Sequence, residues 1–72
     1  MSKDEEGRVA IKEFRCLKEE GYTQYQIYGK AKERGFKNFE CLHILMVVFD
    51  IELHEAREIG HKYLYDHKEN KN

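Results

Sequence analysis

Proline and tryptophan are absent from this chain, and serine and threonine occur once each. No apolar run approaches the ~20 residues of a membrane-spanning helix. Each absence excludes something. Without proline, no helix is interrupted by a missing amide donor. The single serine is Ser2, in a polar terminal stretch, and the single threonine, Thr23, stands where a helix cap is needed, so hydroxyl nucleophiles are scarce. No charge dominates: 13 Lys+Arg stand against 14 Asp+Glu, for a net charge of −1. That balance removes the overall basic field that steers a protein toward nucleic acid or an anionic membrane. The two cysteines, Cys16 and Cys41, lack metal-ligand spacing and read as reduced, small apolar residues on helix faces. No segment alternates at period two. The N-terminus also lacks the basic-then-apolar pattern of a secretory signal, so the expected location is cytoplasmic, without membrane contact.

What is present is helical punctuation. Lys18-Glu19-Glu20-Gly21-Tyr22-Thr23 is echoed by Lys32-Glu33-Arg34-Gly35-Phe36-Lys37. Each runs a charged turn into a glycine able to take positive φ, then an aromatic and a fresh start. These corners divide the 72 residues into an all-α, compact bundle of four short helices at about 8–20, 23–34, 38–49 and 52–65. Residues 1–7 and 66–72 are expected to be polar, disordered tails of this single domain.

The first helix carries Ala10, Phe14 and Leu17 as its buried stripe, flanked by Val9 and Ile11. Tyr22 is expected to fold back on Leu17. Thr23 and Gln26 form a capping box for the second helix, with Tyr22 and Ile27 as a hydrophobic staple. That helix is weakly amphipathic: Ile27 and Ala31 face inward with Tyr28 at the edge, and Gly29 costs about 1 kcal/mol against Ala. Tyr25 projects nearly opposite Ile27. Asn38 is the expected cap of the third helix, whose main face is Leu42, Leu45, Met46 and Phe49, flanked by Cys41 and Val48. Ile44 and Val47 fall on its far side. Either the third helix is central and the others wrap it, or Ile44 and Val47 form a homodimer contact. After the turn at Asp50-Ile51-Glu52, the fourth helix turns Leu53, Ala56, Ile59, Gly60, Tyr63 and Leu64 inward.

Few residues are placed for chemistry. Cys41 and His43 lie two apart on one helix and face different ways, so they make no catalytic pair. His54, Glu58 and His61 share a face of the fourth helix, but matching ligands on other helices are lacking. No catalytic residue, cofactor or metal site is therefore expected. The most suggestive surface is Tyr25 with the basic cluster Lys30, Lys32, Arg34 and Lys37, opposed only by Glu33. Five tyrosines among nine aromatics also favour an interface, because tyrosine supplies rigid amphipathic contact area.

Three partial resemblances follow from these patterns. From Leu17 to Leu45 the chain resembles a ubiquitin-associated domain, through Gly21-Tyr22 and the packing residues Ile27, Ala31, Cys41 and Leu45. That likeness implies ubiquitin binding through the Gly21-Tyr22 loop and the last helix of the family fold. From Phe39 to Ile59 the chain looks like the helical hairpin of the ribosomal stalk protein's C-terminal domain, through Leu53-His54-Glu55-Ala56-Arg57; that likeness implies accompanying strands. The chain is also similar to a helix-turn-helix in two registers. One would use the third helix, which carries no Lys or Arg to read bases. The other packs Leu45, Phe49, Ile51, Ala56 and Ile59 inside and presents Glu52, His54, Arg57, Glu58 and His61 to DNA.

The resulting expectation is a non-enzymatic protein-interaction module for another protein. The alternative is a DNA-binding domain of the helix-turn-helix kind using the fourth helix.

Overall fold

A computed structural model describes residues 3–67, which form α1 (Lys3–Glu19), α2 (Gln24–Glu33), α3 (Asn38–Phe49) and α4 (Leu53–Asp66), with no strand among them. The all-α expectation therefore holds, and the strands implied by the ribosomal stalk likeness are absent from the described residues. Helix α1 begins at Lys3, ahead of the expected Arg8. The expected start followed apolar periodicity, which a first helical turn does not require. Asp66 belongs to α4, with His67 as its cap, so neither is tail. Residues 1–2 and 68–72, the rest of the expected tails, lie outside the described residues.

The three corners share one backbone solution. At the first, Gly21 has φ 110°, Gly21 N–H donates to Lys18 O at 2.9 Å, and Tyr22 N–H donates to Leu17 O at 3.1 Å. At the second, Gly35 has φ 96°, with Gly35 N–H to Lys32 O at 3.0 Å and Phe36 N–H to Ala31 O at 3.2 Å. These are paired Schellman bonds that satisfy the last carbonyls of a helix. The third corner reaches the same turn without glycine. Asp50 takes φ 57° and ψ 48°, and Ile51 N–H donates to Met46 O at 3.3 Å. Tyr22, Phe36 and Ile51, each following its left-handed residue, all pack against the core.

Helix starts are set by local side chains. Thr23 Oγ1 accepts from Gln26 N–H at 3.1 Å while Gln26 Oε1 accepts from Thr23 N–H at 2.9 Å, closing the expected capping box. The cap of α3 is Lys37, not Asn38. Its backbone N–H is held by Glu40 Oε1 at 2.8 Å. Asn38 is released for another task. Its Oδ1 accepts from Lys32 Nζ at 2.7 Å and from Tyr28 Oη at 3.3 Å, joining α2 to α3.

Helices α2 and α3 each pack against all three other helices, and among the described residues α1 and α4 make no contact. The core consists of Ala10, Phe14, Ile27, Tyr28, Ala31, Cys41, Ile44, Leu45, Val48 and Ala56. Two corrections follow. The buried face of α3 centres on Cys41, Ile44, Leu45 and Val48, with Leu42, Met46 and Phe49 only half-buried. A helix apolar nearly all round offers no periodic signal to choose between faces, so its three neighbours decide. On α4, Leu53 and Leu64 are 48% and 36% exposed rather than inward, because small Ala56 and Gly60 are what allow close approach.

Candidate interaction surfaces

The seam between α2 and α4 is built from two reciprocal tyrosine-on-glycine contacts. Tyr63 of α4 lies over Gly29 of α2, where an added Cβ would sit 3.0 Å from Tyr63 Cε2. Tyr28 of α2 lies over Gly60 of α4, where an added Cβ would sit 3.2 Å from Tyr28 Cε2 and 3.3 Å from Leu42 Cδ2. The two rings meet with centroids 5.2 Å apart, tilted by 53°. Gly29 is thus the seat of a ring from another helix, and its cost in helix propensity is offset by that packing.

Tyr25 extends the same seam outward. Its ring lies 5.5 Å from Tyr63, and Tyr63 stacks on His67 at 4.0 Å. Tyr25 Oη donates to Asp66 Oδ2 at 2.8 Å, and Lys62 Nζ stands 5.7 Å from the Tyr25 ring centroid. Partial desolvation, reinforced by the bond to Asp66 and its charge, raises the Tyr25 phenol above its ordinary value of 10.0. Tyr25 is therefore half-buried and engaged within the fold.

The basic cluster is spread over several internal tasks. Lys30 Nζ lies 5.5 Å from the Tyr22 ring centroid, and Lys32 holds Asn38. Arg34 pairs with Glu13 of α1 and lies 5.4 Å from the Phe14 ring centroid, so it fastens α1 to α2. Lys37 is exposed at the cap of α3. Tyr25 and Lys30 border one shallow hollow with Tyr22, Gly29, Tyr63 and His67, and Lys30 and Arg34 border a second with Glu13, Phe14 and Leu17.

The Ile44–Val47 strip is divided as well. Ile44 is 3% exposed, inside the monomer core, and Val47 is half-buried. On α4, the residues assigned to a DNA-facing surface, Glu52, His54, Arg57, Glu58 and His61, are all exposed. Among the described residues, no group of three or more His, Cys, Asp or Glu side chains could hold a metal ion. Burial pushes the Cys41 thiol up to about 11, so it is protonated at neutral pH and offers no thiolate. Cys16 is exposed.

A different surface is open. Helices α1 and α3 lie side by side, with Lys18 Nζ 5.8 Å from the Phe49 ring centroid at one end. At the other end they part into a groove of about 670 Å³, lined by Gly7, Arg8 and Ile11 on one bank and by Phe36, Phe39, Glu40, His43 and Ile44 on the other. Phe39, at 67% exposure, stands at its edge. Sequence reasoning passed over Phe39, although it stands three residues before Leu42 and seven before Met46 and so continues that stripe by one turn. The available signal was a lone aromatic inside the polar segment Lys37-Asn38-Phe39-Glu40.

Among the described residues, no helix is long and apolar enough to cross a membrane. Compared with known proteins, the chain matches no family model, no curated protein and no solved structure.

Proposed function

We propose that this chain is a non-enzymatic helical interaction module that binds another protein chain through the groove between α1 and α3, with Phe39 as its anchor. One observation carries this reading. A large aromatic residue, 67% exposed, borders a largely apolar groove, while Tyr25, Lys32 and Arg34 of the expected surface each have a partner within the fold. Aromatic residues, phenylalanine among them, are enriched at protein interfaces, where they fill pockets on the partner. The expected compartment is the cytoplasm.

The DNA-binding alternative has Arg57, His54 and His61 exposed on α4, but Glu52 and Glu58 are exposed with them and oppose phosphate. A photo-crosslinking residue at position 39 tests the main reading, with position 57 as the control on α4. The expected result is a protein-sized adduct in native host cells from position 39 only. Nucleic-acid adducts from position 57, with none from position 39, would overturn it in favour of the α4 reading.

A further inference from the structure

We propose that the occupant of the Phe39 groove is a second copy of this chain, docked about a twofold axis that runs along the groove. The inference rests on the reading of this groove as a docking surface and adds the identity of the partner. Three observations on one face support it.

The face carries both a projection and a hollow. Phe39 stands 67% exposed on the α3 bank, and the opposite bank is made by Gly7, Arg8 and Ile11. A twofold axis along the groove lays the α3 bank of each copy over the α1 bank of the other. Each Phe39 then meets Ile11 and the aliphatic stem of Arg8 in the second copy, and the contact is made twice by symmetry.

The charges at the groove are also self-complementary. Arg8 lies on the α1 bank and Glu40 on the α3 bank. The same axis sets Arg8 of each copy across from Glu40 of the other, an opposite-charge pairing that occurs twice. A partner of uniform charge would satisfy only one of these residues, whereas a second copy satisfies both. The net charge of −1 opposes self-association very little.

Finally, the α3 bank continues beyond the groove. Val47 follows Ile44 by one turn and remains half-buried, so its exposed part is available for cover from outside although Ile44 is not. One phenylalanine and one groove make a contact smaller than the ~800 Å² per partner of a standard stable interface. The dimer is accordingly weak and concentration-dependent.

Sedimentation equilibrium of the full chain from micromolar to millimolar concentration tests this. Wild type should pass from monomer to dimer. Phe39→Glu should weaken the dimer by at least about tenfold while leaving the monomer's melting temperature unchanged, as expected for a surface substitution. The charge pairing has its own test. Arg8→Glu and Glu40→Lys should each weaken self-association, because each places like charges across the axis twice. An equimolar mixture should recover it, because both crossed pairs are then opposite in sign. Glu40→Lys also removes the acceptor for Lys37 N–H, so its folding is checked by circular dichroism, with Glu40→Gln as the milder variant.

A wild type that stays monomeric at millimolar concentration would overturn the proposal. So would a dimer indifferent to Phe39→Glu, or a mixture that fails to recover association when both variants are folded. A monomeric wild type that still crosslinks to a different protein from position 39 would reject the second copy and leave the interaction-module reading standing.

Discussion

The α2–α4 seam and the α1–α3 groove are both rich in aromatic residues, yet they are built for opposite ends. In the seam, each ring has a seat on the facing helix: Tyr63 on Gly29 and Tyr28 on Gly60. Tyr25 and His67 close the outer edge, and Tyr25 Oη is held by Asp66. In the groove, Phe39 has no such seat, and the opposite bank offers Gly7, Arg8 and Ile11 at a distance. The difference teaches that aromatic content alone does not locate an interface. What matters is whether a small residue on a facing helix receives the ring. Glycine in a helix interior is unfavourable by about 1 kcal/mol against alanine, so two of them facing two tyrosines mark a seam stabilised by close packing.

The largest effect should come from filling that seam. Gly60 is buried, and any Cβ there meets Tyr28 and Leu42 at 3.2–3.3 Å. Gly60→Val should destabilise the domain by about 3 kcal/mol through overpacking, read from urea unfolding. Gly29→Ala should cost much less, because Tyr63 is only half-buried and can yield while the helix gains propensity. Equal effects at the two glycines would mean that Tyr63 is as firmly fixed as Tyr28.

Alkaline pH should weaken the core next. The Cys41 thiol titrates from an ordinary value of 9.0 to about 11 in the fold, chiefly because burial disfavours the thiolate. The unfolded chain therefore loses this proton first. The thiol's stabilising contribution is complete below pH 9.0, and it is lost as pH rises toward about 11. The loss should reach at most about 3 kcal/mol once both states are titrated. Tyr28, also raised above 10.0 mainly by burial, adds to the upper part of the same decline. Urea midpoints at about pH 8 and about pH 10.5 measure the loss, and Cys41→Ala should remove the early part of it.

The corners allow a smaller and signed comparison. Nothing lies within 4 Å of a Cβ built at Gly35, so Gly35→Ala meets only the strain of positive φ and should cost about 1 kcal/mol. Asp50 already carries that strain at φ 57°. Asp50→Gly should therefore raise stability by up to about 1 kcal/mol. A loss on Asp50→Gly would show that the aspartate side chain contributes more than its backbone strain removes.

These comparisons also show what could be read in advance. The Gly21 and Gly35 corners and the Thr23–Gln26 box were legible because every participating residue lies within one turn of chain. The Ala10-Phe14-Leu17 stripe was legible because one helix face alternates clearly with charge. The inner face of α3 was not, since its residues are apolar in nearly every direction and only the neighbouring helices select Ile44 over Met46. The seam was illegible for a different reason. Gly29 looks like a defect until Tyr63, from the last helix, is laid across it. Tyr25 looked free because a helical projection gives a direction and not an occupant; its acceptor, Asp66, belonged to a stretch whose polar composition resembles a tail. Phe39 was the reverse case: visible as an isolated aromatic, but meaningful only once α1 was seen to stand apart from it.

The central claim is that the seam is structural and the groove edge is free for binding. Thermal unfolding of Tyr25→Ala and Phe39→Ala, side by side at a concentration where the chain is monomeric, tests it most directly. Tyr25→Ala should lower Tm, because it removes a ring from the seam and the donor to Asp66. Phe39→Ala should leave stability within about 0.5 kcal/mol of wild type, as for an exposed side chain outside the core. The opposite pattern, with Tyr25→Ala silent and Phe39→Ala strongly destabilising, would contradict the account: Phe39 would be core, and the tyrosine edge would be the open surface.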